Sequence, residues 1–133
     1  MANITSTNND LNSPILEGAE FRDDVITFTG ADVLAPGTIL ARDSVSGNLV
    51  IFVVGGSTNE NGIPKVILPY EVEATAAGDV QARVAVSGKF RKEKLVIDAD
   101  GDDSNVDAAV IDQLRDYGLV PVDVEELNIQ DNQ

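Results

Sequence analysis

Cysteine and histidine are both absent from this 133-residue chain, and their absence excludes several kinds of chemistry. Without cysteine there is no disulfide framework, no thiolate nucleophile and no thiolate ligand for a metal. Without histidine the chain lacks the commonest general base near neutral pH and the commonest ligand of transition metals. The glycine-rich stretch GGSTNENG also lacks the GK[ST] ending of a phosphate-binding loop. We therefore expect no enzyme activity, no cofactor, no metal and no small-molecule substrate.

Aromatic residues and long hydrophobic runs are also scarce. Four Phe and two Tyr are the only aromatic residues, so the core must consist mainly of Val, Ile, Leu and Ala. The longest apolar run, LVIFVV at Leu49–Val54, is too short to cross a membrane and instead predicts a strand buried on both faces. The first residues lack the basic region and following apolar run that are typical of a signal peptide, so none is expected. We expect a single domain with no membrane partner, since one core commonly serves about 100–150 residues.

Positive charge is scarce as well, but it is unevenly distributed. Nine Lys and Arg stand against twenty-three Asp and Glu, which gives a net charge of −14. Because such a surface repels phosphates, nucleic acid is not an expected partner. Five of the nine cations nevertheless lie between Arg83 and Lys94, whereas the chain from Asp98 onward has eleven acids and only one cation, Arg115. This cationic segment, Arg83–Lys94, is either a solvated turn or a surface that faces acidic groups, in the same chain or in a neighbouring copy.

Several stretches have the patterns of β-strands. Val25–Thr29 predicts a short strand, and the alternation of apolar and polar residues over Val80–Val86 predicts a half-buried one. Gly88 would then form either a tight turn with Lys89 or a bulge that redirects the strand. The span Arg91–Lys94 is expected to be exposed rather than part of a regular strand.

One helix is predicted after the acidic stretch DADGDD. Ser104, with Asp107 three residues later, resembles a capping box, and Gly118 suits the position just after the C-terminus of the helix. The apolar residues at helical spacing are Val106, Val110, Ile111, Leu114 and Tyr117.

The stretch DADGDD itself, Asp98–Asp103, matches a calcium-binding EF-hand loop only in part. Position 6 is Asp103 instead of Gly, and position 12 is Ala109 instead of a bidentate Glu. A solvated acidic loop before a helix N-terminus explains the residues equally well, so no metal site is predicted.

The first 24 residues begin with a segment rich in Asn, Ser and Thr that has too few apolar residues to fold alone. We expect residues 1–24 to form an extended N-terminal arm and residues 25–133 to form the domain. Within the arm, Ile4 and Leu11 are candidates for docking into a partner, while Thr5 and Thr7 favour extended backbone.

The order of these features resembles the lambda-type bacteriophage head decoration proteins, also called capsid cement or stabilisation proteins. The similar region runs from Ala35 to Val124, through PGTILARDSVSGNLV, PKVILPYEVEAT and the element SG-x-FR. That element comprises Ser87, Gly88, Phe90 and Arg91, followed by Glu93 and Leu95. The chain departs from the family pattern in a longer arm, a more acidic composition and two further cations, Lys92 and Lys94.

The resemblance implies a small α+β, mostly-β fold of the β-tulip kind, with one short C-terminal helix and an extended N-terminal arm. It implies a structural virion protein, made in the cytoplasm of a bacterial host, that decorates and stabilises the outer surface of the expanded capsid. It would bind the major capsid protein as homotrimers at local threefold sites. The alternative is an acidic extracellular or cell-surface β-domain stabilised by calcium, which a thermal melt with and without calcium would distinguish.

The resemblance and the charge pattern together predict roles for two groups of residues. Lys89, Arg91 and Lys92 are expected at or near a contact with a neighbouring subunit or the capsid. Gly88, Phe90 and Leu95 are expected to be structural, with Gly88 at a positive φ and Phe90 in the core.

Overall fold

The computed structural model describes residues 13–123, and these form a mostly-β domain with one short α-helix. The prediction of a small mostly-β domain with a single short helix is confirmed. The strands are β1 (Ile15–Phe28), β2 (Asp32–Leu34), β3 (Ile39–Arg42), β4 (Leu49–Ile51), β5 (Pro64–Ile67), β6 (Val72–Ala74), β7 (Gly78–Arg91) and β8 (Leu119–Val122). A 3-10 turn spans Lys92–Lys94, and α1 spans Ala108–Asp116. No helix in this part of the chain has the length and apolarity needed to cross a membrane.

The main sheet closes on itself. Its strands follow the order β1-β4-β3-β5-β7-β8, and β1 also pairs with β7, so that five strands form a ring and β8 is added outside it. The β1–β4 and β7–β8 pairs are parallel, and the other pairs in the sheet are antiparallel. A separate two-stranded sheet joins β2 to β6. Closure leaves the ring without the free edges of an open sheet.

Two hydrophobic cores lie on opposite faces of this sheet, because successive residues of a strand point to opposite sides. Leu40, Val66 and Val84 belong to the first core, which takes residues from every strand of the ring. Their chain neighbours Ala41, Ile67 and Ala85 belong to the second core, which packs the other face against α1 and β8. At Val84 and Ala85 β7 is therefore buried on both faces, which corrects the expectation that this strand is only half-buried.

The strand β1 begins earlier than the sequence suggested. Val25–Thr29 was expected to be a short strand after an arm of residues 1–24, yet Ile15–Phe28 is one long strand paired antiparallel with β7. Residues 15–24 thus belong to the folded domain, which corrects the arm boundary. Their polar side chains fit a strand with one solvated face, and the backbone pairing with β7 compensates for the apolar residues they lack.

Two further expectations are corrected in detail. The run LVIFVV is a strand only over Leu49–Ile51, and Val53 and Val54 are exposed because the Val53 amide donates to Asn61 O in the following loop. The N-cap of α1 is Asp107, whose side chain accepts a hydrogen bond from the Val110 amide, and not Ser104. Of the predicted apolar face, Val106, Val110 and Leu114 are buried, whereas Tyr117 is exposed.

The ring is weakest between β1 and β4, which share the single pair Ile26–Leu49. Side chains supplement this junction. Arg42 donates from Nη2 to Asp24 Oδ2 and from Nη1 to Gly47 O, each at 2.8 Å, so it joins β1 to the β3–β4 turn. Burial opposes ionisation of Asp24, but hydrogen bonds from Arg42 and the Val25 amide outweigh it and lower the pKa of this carboxyl.

We expect Asp24→Asn to lower the free energy of unfolding at pH 7 by about 1 kcal/mol, the scale of one charge-assisted hydrogen bond near a surface. Because the pKa of Asp24 is lower in the folded than in the unfolded protein, ionised Asp24 stabilises the fold at pH values above its unfolded-state pKa. This contribution to the free energy of unfolding is lost as the pH falls through the folded-state pKa. The difference between wild type and variant should therefore shrink in urea melts taken below pH 3.8. Asp23→Asn, an exposed neighbour, is the control, and an equal loss from both variants would contradict this role of Asp24.

Candidate functional site

The cationic segment, Arg83–Lys94, continues β7 without a turn and ends in the 3-10 turn. The tight turn expected at Gly88 does not form, because β7 runs through to Arg91, but the alternative of a bulge agrees with the register shift between the pairs Glu17–Lys89 and Glu20–Ser87. Gly88 and Phe90 lie on one side of the strand, and Ser87, Lys89 and Arg91 lie on the other. The sequence SGKFR therefore divides into a structural face and a polar face.

The structural face is tightly packed. Phe90 and Leu95 are fully buried in the second core. Gly88 has a φ of +127°, and a Cβ atom at this position would lie 2.6 Å from Ala19 Cα on β1. Its amide donates to Gly118 O at 3.0 Å, where the chain enters β8. Gly88 is thus in close contact with both β1 and the start of β8.

The polar face binds the first half of β1. Lys89 Nζ lies 3.3 Å from Glu17 Oε1, and Ser87 Oγ donates to Glu20 Oε1 at 2.9 Å. Both contacts are exposed to solvent. Lys92, beyond the end of β7, lies 3.7 Å from Asp103 of the acidic loop. The cations Lys89 and Lys92 therefore have acidic partners within the same chain.

Arg91 holds the residues that precede β1. Its backbone amide donates to Pro14 O at 2.7 Å, and its Nη1 donates to Ser13 O at 2.7 Å and to Ile15 O at 3.2 Å. The two bonds from the guanidinium are charge-assisted hydrogen bonds, which are stronger than those between neutral groups. Pro14 is buried at this point. Three consecutive carbonyl groups are thus fixed by one residue.

The acidic loop Asp98–Asp103 is organised by its own hydrogen bonds. Asp102 Oδ1 accepts from the Ser104 amide, and Asp100 Oδ2 accepts from Asn105 Nδ2, both at 2.9 Å. Burial and, to a smaller extent, the charge of Asp32 raise the pKa of Asp98. Over residues 13–123 no group of three or more Asp, Glu, His or Cys side chains is placed to hold a metal ion.

Sequence reasoning found the cations but missed their partners. Glu17, Glu20 and the carbonyl groups at Ser13 and Ile15 lie in a stretch that reads as an arm, so no pattern assigned them to β7. The register of the β1–β7 pair was the missing information, and it depends on tertiary structure. The arm residues Ile4, Thr5, Thr7 and Leu11 lie outside the described residues.

Comparison with known families decides the identity of the chain. The family model described as bacteriophage lambda head decoration protein D matches residues 4–119. The chain belongs to this family. The resemblance inferred from the SG-x-FR element and its surroundings is thereby confirmed. No curated protein matches the chain.

Membership in the family gives the general function. Head decoration proteins are structural components of the phage head, so this chain is a capsid-binding protein of the virion. The domain that the structure describes has a closed ring of strands with a hydrophobic core on each face. The polar face of β7 lies beside Ser13, the first residue that the structure describes.

Proposed function

We propose that the protein stabilises the expanded phage capsid from its outer surface by binding the major capsid protein as homotrimers at local threefold sites. The observation that supports this most is membership in the head decoration family, which covers residues 4–119. The protein would be made in the host cytoplasm and would bind after the shell expands. Pressure from packaged DNA tends to separate the capsid subunits. The protein would oppose this separation by burying surface area against several subunits, which requires no catalysis.

Residues 1–12 would serve as the capsid-binding arm. Extended segments commonly bind by adding a strand to an exposed sheet edge, where backbone hydrogen bonds give affinity and alternate side chains enter pockets. In this mode the arm would supply the strand and the capsid protein the edge. Ile4 and Leu11 are the apolar side chains proposed to enter pockets, and Thr5 and Thr7 would favour the extended backbone.

Subunit contacts within the trimer would use complementary charge. We propose that Lys89, Arg91 and Lys92 lie at or near a contact with acidic groups of a neighbouring copy or of the capsid, in addition to their partners within the chain. The pair Lys92–Asp103 is only half-buried, which leaves both charges accessible to a neighbour. Surface pairs contribute roughly 0–1 kcal/mol each, so a stable interface would also need about 1,000 Å² of buried area.

The test of this proposal is electron cryo-microscopy of expanded capsids that lack decoration, incubated with the full chain. We expect added density for three copies at each local threefold position on the outer surface, with the start of each chain directed toward the shell. Density at other positions, or on the inner surface, would contradict the proposal. A melting temperature raised by several degrees in millimolar calcium would instead favour the calcium-stabilised extracellular domain.

A further inference from the structure

The start of the folded domain is held by one residue of β7. Ser13, Pro14 and Ile15 each direct a carbonyl group to Arg91, at 2.7, 2.7 and 3.2 Å. These are the first residues of the described domain, directly after residues 1–12. The place where the N-terminal segment leaves the domain is therefore defined by the Arg91 backbone and side chain.

The stretch that follows is attached much less regularly. The β1–β7 register shifts between Ile15 and Glu17, again between Glu17 and Glu20, and again between Glu20 and Phe21. From Phe21 to Phe28, by contrast, every residue has a partner in β7. Regular pairing of β1 with β7 thus begins only at Phe21. Residues 16–20 lie between this paired segment and the residues that bind Arg91.

Packing along this stretch is uneven. Ala19 lies against Gly88, whereas a Cβ atom at Gly18 would point into open space, with no atom within 4 Å. A shallow hollow of about 360 Å³ opens beside Gly18, lined by Glu17, Gly18, Gly88, Lys89, Gly118 and Val120. The side-chain contacts Lys89–Glu17 and Ser87–Glu20 are exposed, and exposed pairs stabilise little. Ile15 packs against the second core, and Arg91 supplies the hydrogen bonds that fix the carbonyl groups of Ser13 and Ile15.

We propose that Arg91 is a positioning residue for capsid binding: it fixes the point from which residues 1–12 leave the domain. This inference rests on the proposed function of those residues as the capsid-binding arm. Arg91 acts through Ser13–Ile15 and needs no contact of its own with the capsid. Without its side chain, residues 13–15 lose two charge-assisted hydrogen bonds, and the regular pairing of β1 with β7 begins only at Phe21.

A longer connection between the arm and the domain weakens capsid binding. Binding of domain and arm to one capsid makes the arm's docking intramolecular, and its effective concentration falls roughly as the −3/2 power of the connecting length. Residues 13–20 must also be ordered again if they are to return to their place, which adds to the cost of binding. We expect loss of the Arg91 side chain to raise the Kd for capsids roughly five- to tenfold.

The experiment is a double-mutant cycle on the full chain, read by equilibrium binding to expanded capsids that lack decoration. Arg91→Gln removes the guanidinium, and the paired substitutions Ile4→Asp and Leu11→Asp disable the arm. Arg83→Gln is the matched control, because it removes a guanidinium from the same strand, where Arg83 lies over the Phe21 ring and is not one of the proposed contact residues. We expect Arg91→Gln to weaken capsid binding in the wild-type background, and Arg83→Gln to change it less than about twofold.

The decisive comparison is the effect of Arg91→Gln in the arm-disabled background. A residue that acts through the arm has no further effect there, whereas one that contacts the capsid or supports the whole fold weakens binding equally in both backgrounds. Equal weakening, or no effect of Arg91→Gln in either background, would overturn the inference while leaving the proposed function intact. Unchanged binding by the arm-disabled chain would instead overturn the proposed function, and the inference with it.

Amide hydrogen exchange gives a second test that requires no capsid. In Arg91→Gln the amides of residues 15–20 should exchange faster, while those of Phe21–Phe28 should be unaffected, because only the irregular stretch loses its attachment. Faster exchange throughout β1, or no change over residues 15–20, would contradict the positioning role. If Arg91→Gln does not fold, Arg91→Lys takes its place in both tests, since it retains the charge and loses the reach and geometry of the guanidinium.

Discussion

Gly88→Ala is expected to lower the free energy of unfolding by about 3 kcal/mol or more, although it adds only one methyl group. Two effects act together at this position. A positive φ costs a residue with a Cβ about 1–2 kcal/mol. The added Cβ would also lie 2.6 Å from Ala19 Cα and 2.9 Å from Ala19 N, which are backbone atoms and cannot rotate away. Either β1 or β7 must shift, and both strands belong to the closed ring.

Gly78→Ala is the matched control, because it separates the two effects. Gly78 lies at the other end of the same strand with a φ of +142°, and a Cβ there would have no atom within 4 Å. This variant should lose only the conformational contribution, about 1–2 kcal/mol. Urea unfolding of both variants at one pH gives the comparison. Equal losses would show that the close approach of β1 to β7 at Gly88 has no energetic consequence.

Phe90→Ala is expected to destabilise the protein by about 3–5 kcal/mol, the range found when a buried Phe is truncated. Phe90 is fully buried in the second core, which joins the sheet to α1 and β8. The chain has few aromatic residues, and the small aliphatic side chains around Phe90 cannot fill the space left by a ring. The loss includes both the transfer of the ring and the cavity that remains.

Phe21→Ala on β1 provides the comparison for Phe90. Phe21 is only partly buried and packs at the margin of the same core, with the Arg83 guanidinium 5.1 Å from its ring centroid. Its truncation should cost clearly less, about 1–2 kcal/mol, because neighbouring solvent already reaches the ring. Denaturant melts of the two variants test the order. A smaller loss of unfolding free energy for Phe90→Ala than for Phe21→Ala would contradict the central position of Phe90 in this core.

The strands and helix that rest on local patterns were predictable from the sequence. Alternation over Val80–Val86 identified β7, and helical spacing with Gly118 identified α1. The cap was assigned to Ser104 because a capping box fits there, yet Asp107 caps the helix one turn later. Several Asp and Ser residues precede this helix, and any of them can cap it, so only the tertiary position of the helix decides among them.

The extent of β1 could not be predicted from the sequence. Residues 15–24 are mostly polar, and nothing local distinguishes an extended arm from a strand whose partner is distant in the chain. Their pairing with β7 spans more than fifty residues of sequence. The same register decides the partners of the cationic segment, since it places Glu17 opposite Lys89 and Ile15 opposite Phe90. The charge pattern suggested that the cations face acids, but not which acids.

Co-sedimentation with expanded capsids that lack decoration tests whether this protein binds the phage head through its N-terminal arm. We expect the full chain to pellet with such capsids and to saturate at a fixed number of copies per capsid. The chain carrying Ile4→Asp and Leu11→Asp, with an unchanged melting temperature, should stay largely in the supernatant. Full-length protein that remains in the supernatant at saturating capsid concentrations would show that the protein does not bind the head in this way.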